Sequence, residues 1–141
     1  NKEKVRQEHE AKMTALDDKF VQAAKFLKQK KERQAEAIVL DGLKASGFDE
    51  RTINTIAYQQ FNSPTTMALA LLIFKYNTVA YASSANAYDS YGEALMKQGK
   101  LKQAEEQFEK AIELATASND ASMLNISRSN LLKIKELKKS K

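Results

Sequence analysis

Apolar side chains recur along the first third of this chain at helical intervals. Met13, Leu16, Phe20, Ala23 and Leu27 are spaced 3, 4, 3 and 4, which draws the seam of one helical face. Nothing between Lys2 and about Ser46 breaks a helix, but Lys28 to Gln34 offers no apolar side chain. The pattern resumes at Ile38, Val39, Leu40 and Leu43. Residues 2–46 therefore read as one long helix, or as two with a soft break near 29–33. Gly47 closes the segment as a left-handed residue, with Phe48 folding back on the last turn.

Asp49 can cap a helix over 50–61. Ser63 as N-cap and Pro64 at the first helical position, where its missing N–H costs nothing, start another over 64–81. That helix, "TTMALALLIFKYNTVAY", is apolar around most of its circumference and is expected to pack on more than one side. "SSAN" ends it and caps a helix over 87–98; Gly99 turns the chain into a helix over 101–117. "SND" turns it again into an amphipathic helix over 121–138. No segment reads as a strand, so the fold class is all-α.

Composition narrows the function classes. The chain has 141 residues, one Pro and four Gly, so breakers are scarce and one ordinary helical domain fits. There is no Cys and one His, His9. Thiol chemistry, disulfides, a Ser-His-Asp triad and a multi-histidine zinc site are thereby excluded or very hard to build. No cofactor is expected. No run reaches the length of a membrane span. The chain starts at Asn1 rather than Met, which fits a processed piece, so export stays open. Net charge is +5, and the excess is concentrated at the end, where residues 119–141 hold six basic and two acidic side chains. "KIKELKKSK" reads as a solvated helix end whose lysines complement the dipole rather than as a nucleic-acid site.

A repeat is visible once Tyr88 is set at position 4 of a unit. Tyr91, Gly92, Leu95, Ala104, Phe108 and Ala111 then fall at positions 7, 8, 11, 20, 24 and 27. Over residues 85–118 this resembles the tetratricopeptide repeat (TPR), with Thr116 where that pattern has Pro. Gly92 and Ala104 are small so that paired helices approach closely, while Tyr88, Leu95, Phe108 and Leu114 fill the seam. Residues 51–84 read as a divergent repeat, with Tyr58 at the small site; a shift of one residue would put Ala57 there. Residues 119–141 fit the terminal solvating helix of such an array. The organisation expected is a helical segment over 1–48 and a TPR-like antiparallel helix-turn-helix array over 49–141. The N-terminal segment supplies a long helix or helix pair, and the last helix caps the superhelix.

The stretches "INTIAY", "ALLIFKYNTVAYASSANAYDSYGEAL", "AEEQFEKAIELATASNDASM" and "SNLLKIKEL" are also similar to the C-terminal repeat tail of many bacterial serine hydrolases. In those proteins the tail follows an α/β-hydrolase esterase domain or a β-lactamase-like one, so the resemblance implies an accessory module of an exported or periplasmic hydrolase, most of all an esterase. The hydrolase itself is absent, since there is no Gly-x-Ser-x-Gly elbow in the chain.

The groove of such an array would be lined by Thr52, Thr55 and Gln59 in the divergent repeat and by Asn86, Asp89 and Glu93 in the well-matched one. Asp89 and Glu93, four apart, share a helical face. On an open groove they would stay solvated and ionised, favouring a neutral or basic peptide. The expected function is a non-catalytic protein-interaction module, with its own hydrolase domain or a peptide as partner. The alternative is a homodimerisation module using the Met13–Leu27 seam and the apolar helix over 64–81.

Overall fold

The computed structural model describes residues 1–140, which form seven helices and no strand. They are α1 (Lys2–Lys28), α2 (Glu32–Ser46), α3 (Glu50–Phe61), α4 (Met67–Ala80), α5 (Ala85–Lys97), α6 (Leu101–Ala117) and α7 (Ala121–Lys139). Packing divides the chain into two units, Asn1–Ile73 and Phe74–Lys141, with the division inside α4. The boundary drawn after residue 48 from the sequence follows repeat register, which is a different property from packing.

In the first unit the N-terminal segment is a pair of helices. Leu16, Phe20 and Ala23 of the seam are buried, and Met13 and Leu27 half-buried. Burying Leu16 and Phe20 contributes about 1.5–3 kcal/mol each. α2 packs on α1 through a close approach: a Cβ on Gly42 would stand 3.0 Å from Leu16 Cδ1 and 3.2 Å from Lys19 Cβ. At 1.5 Å per residue α1 is about 40 Å long and α2 about 22 Å. The first eleven residues of α1, 2–12, are all exposed and make up most of the excess.

Asp49 caps α3, accepting the Thr52 N–H at 2.9 Å. The start of α4 differs from expectation: Ser63 and Pro64 lie in a turn, and the helix begins at Met67. The Thr66 hydroxyl donates to the Gln60 carbonyl, satisfying an orphan acceptor at the end of α3. α4 buries Leu69, Ala70, Ile73, Phe74, Asn77 and Thr78. Spaced one and three apart, these six fall on one half of the helix. Ala68, Lys75, Val79 and Ala80 on the other side are exposed, so the burial is more one-sided than its apolar composition suggests.

In the second unit Ser84 caps α5 by accepting the Ala87 N–H at 3.1 Å, two residues earlier than the sequence suggested. α6 lies against α5 over Gly92, and α7 packs on both. Ala85, Ala111 and Ala115 form a small core with Tyr88, Leu114, Met123 and Leu124 around it. At the far end Lys138 Nζ reaches Glu105 Oε2 at 2.7 Å.

Three turns are built alike. Lys30, Gly99 and Asn119 have φ of 59°, 78° and 57°. The next N–H returns to a carbonyl five residues back: Lys31 to Phe26, Lys100 to Leu95, and Asp120 to Ala115. This is the Schellman arrangement. Gly99 follows Lys30 by 69 residues, about two repeat lengths, and the small residues obey the same interval. Ala23, Ala57 and Gly92 are all buried, as are Ala35, Ala70 and Ala104. The α1–α2 hairpin therefore carries the repeat pattern that the sequence reading saw only from residue 51 onward.

Candidate interaction surface

A cleft of ≈ 520 Å³ opens in the first unit, within the range of ligand sites. Its lining comes from α1 through His9 and Met13, and from α3 through Arg51, Thr52, Thr55, Ile56 and Gln59. The α3 residues share a face because they are spaced three and four apart. Buried Ile56 and half-buried Met13 make an apolar floor. The His9 ring lies 5.2 Å from the Phe48 ring at an interplanar angle of 42°. Phe48 follows Gly47, whose φ of 65° turns the chain out of α2; the aromatic reaches back to α1 rather than only to the last turn of α2.

The rim is rich in donors. Arg51 is the one charged side chain among these seven residues. The Thr55 hydroxyl donates to the Arg51 carbonyl at 3.1 Å. Asp49 stands beside the cleft with its carboxylate engaged as the helix cap. Its hydrogen bond from the Thr52 backbone, aided by the Arg51 charge, holds that carboxyl below its ordinary value.

Asn86, Asp89 and Glu93 have different surroundings. Asn86 is exposed, Glu93 half-buried, and Asp89 only 5% exposed. Ser127 Oγ donates to Asp89 Oδ1 at 2.8 Å. Asn130 Nδ2 donates to Asp89 Oδ1 at 3.1 Å and Oδ2 at 3.4 Å, and to Glu93 Oε1 at 3.4 Å. The expectation of a solvated, open-groove Asp89 is thus corrected: α7 covers that face. Burial pushes the Asp89 carboxyl above its ordinary value. The bonds from Ser127 and Asn130 oppose this, Glu93 adds to it, and Lys133 opposes it.

Thr52, Thr55 and Gln59 therefore share one site, while Asp89 and Glu93 belong to a helix junction. Sequence reasoning missed His9, Met13, Arg51 and Ile56 at the cleft and Ser127 and Asn130 at the junction. The visible signal at the junction was that α7 places Ser127 and Asn130 on the stripe that ends at Ile134. Tyr88, Gly92, Leu95, Ala104, Phe108 and Ala111 are packing residues, buried except for half-buried Tyr88. Among the described residues no group of three or more His, Asp or Glu side chains could hold a metal ion. No helix among the described residues is long and apolar enough to cross a membrane.

No family model matches the chain, and no curated protein matches it. Among solved structures it is similar to PcrH from Pseudomonas aeruginosa, with a TM-score of 0.57 and 17% identity. The likeness covers 86% of this chain and 92% of that one, and PcrH is a TPR-like helical protein. The fold is TPR-like. Within this TPR-like chain, the Met13–Leu27 seam is buried at Leu16, Phe20 and Ala23, while α4 buries one face and leaves Val79 exposed.

Proposed function

We propose that the chain is a non-catalytic helical module that binds a segment of another protein in the α1–α3 cleft. The observation that carries this reading is the lining itself: an apolar floor of Met13 and Ile56 beneath a rim with one cation, Arg51, and no carboxylate. Such a site suits an extended or helical segment that offers an apolar side chain flanked by an acidic one. A neutral or basic peptide was the expectation when Asp89 and Glu93 were read as groove residues. With Asp89 buried, that reason is gone.

Two synthetic peptides of one apolar pattern, carrying Glu or Lys at the flanking positions, test the proposal by NMR titration of the full chain. The Glu peptide is expected to shift amides of residues 9–13 and 51–59, and Arg51→Glu to reverse the preference. Preference of the native chain for the Lys peptide would overturn the charge assignment. Shifts confined to other residues would overturn the cleft.

The stretches "YDSYGEAL" and "AEEQFEKAIELATASNDASM" support a narrower form, in which the module accompanies an exported bacterial esterase. Saturable binding to an isolated esterase domain of that family would support it, and absence of binding would overturn it. Homodimerisation has less support, because the core of the α1 seam, Leu16, Phe20 and Ala23, is buried within the chain.

A further inference from the structure

We propose that the junction of α5 and α7 is a proton-linked clasp: α7 docks more tightly when Asp89 takes up a proton, so acid fastens the terminal helix instead of releasing it. The geometry is that of a carboxylate taken out of water without a cation. Asp89 is 5% exposed, and the side chains that donate to it, Ser127 and Asn130, are both neutral. Among the described residues no lysine or arginine forms an ion pair with it.

The charges facing the site come from both helices. On α5, Glu93 shares the Asn130 amide with Asp89, so two carboxylates crowd one donor. On α7, Lys133 favours the ionised form through its field alone. Isolating a carboxylate from water costs more than hydrogen bonds from two neutral side chains return. The group accordingly sits above its ordinary value, with burial as the leading cause.

α7 is also held along α6, where Met123 and Leu124 pack on the Ala111–Ala115 core and Lys138 pairs with Glu105, and the clasp adds to that packing. Its buried residues are Ser127, Asn130 and Ile134, and two of the three are the donors of the clasp. Undocking α7 returns Asp89 to water and restores its hydration, so docking and proton uptake are linked. A carboxyl raised in the docked state stabilises docking fully below its ordinary 3.8. That contribution is lost as pH rises through the docked value. A protonated Asp89 keeps a carbonyl oxygen to accept from Asn130, and its own O–H can be given to Ser127 or Glu93.

Hydrogen exchange of amides 121–140 in the full chain, from pH 4.5 to 7.5 and corrected for intrinsic rate, tests the clasp. Protection of α7 in the native chain is expected to rise on acidification, by about tenfold for each unit by which docking raises the carboxyl. Asp89→Asn should flatten the profile and be at least as protected as the native chain at pH 7.5. Glu93→Gln should keep the slope, and the exchange Asp89→Asn with Asn130→Asp should restore it with the carboxylate now on α7. A native profile that is flat, or that loosens in acid, overturns the proposal, as does a slope that survives Asp89→Asn. If Asp89→Asn does not fold, the native profile and Glu93→Gln still decide: loss of the slope in Glu93→Gln would assign the proton elsewhere.

Discussion

Phe108 fills the space that a side chain on Gly92 would need: a Cβ there would stand 2.6 Å from Phe108 Cε1 and 2.8 Å from Cδ1. Both residues are buried, where α5 and α6 pack on each other. Gly92→Ala gains helix propensity but forces the ring to move, and overpacking costs about 1–3 kcal/mol. A urea melt should show that loss. Gly92→Leu should abolish cooperative folding of α5–α7. Phe108→Leu should recover part of the Gly92→Ala loss, which a double-mutant cycle would register as coupling.

The α1 seam is closed by α2, which fixes what a mutation there does. Phe20→Ala should cost about 3–5 kcal/mol, read by thermal or urea unfolding. Phe20→Lys should give a destabilised chain whose sedimentation before unfolding matches the parent. A dissociated oligomer in that experiment would show that the seam pairs with another chain.

Lys30 occupies a left-handed turn that glycine fills at residue 99. The side chain makes that conformation strained by roughly 1–2 kcal/mol. Lys30→Gly should stabilise the chain by a few tenths to about 1 kcal/mol, since the greater freedom of glycine when unfolded offsets part of the relief. Lys30→Val should do the reverse, and Asn119→Gly should change little. Midpoints in urea at equal slope would check all three.

Asp49 and Asp89 should give pH responses of opposite sign. Asp49 is exposed and held below its ordinary value by the Thr52 N–H. Its contribution is present above 3.8 and lost as pH falls through the folded value. Asp49→Asn should therefore reduce the acid sensitivity of α3, whereas Asp89→Asn removes a response that tightens in acid. Exchange rates of amides in α3 and α7, followed from pH 7.5 down to 3, would separate the two.

Much of the architecture was legible because it rests on local chemistry. Asp49 and Gly47 mark helix ends by side-chain capping and by backbone freedom, both readable within a few residues, whereas the cap at Ser84 was placed two residues late. The close pairing of α5 with α6 was legible because Gly92 is a rare and telling choice. The first hairpin was not recognised as a repeat, since Ala23 and Ala35 are common residues and its turn uses Lys30 in place of a glycine. Pro64 misled the placement of α4, because a proline suits a turn as well as a first helical position. The burial of Asp89 lay furthest from local reading. It depends on Ser127 and Asn130, 38 and 41 residues away, and a carboxylate on a helix face gives no local sign that another helix will cover it. The cleft was half visible for the same reason: the α3 residues share a face, but the overhang of α1 that faces them follows from unequal helix lengths.

The buried small residues, Ala23, Ala57 and Gly92 on one side of each hairpin and Ala35, Ala70 and Ala104 on the other, carry a consequence for how such chains change over time. They specify where backbones touch by forbidding bulk, and they demand no particular chemistry from the residues between them. A sequence can drift at nearly every outward position and keep the frame while six steric vetoes hold. Identity between two such chains then measures elapsed substitution more than structural distance, and the surfaces facing partners are free to be rewritten without renegotiating the fold.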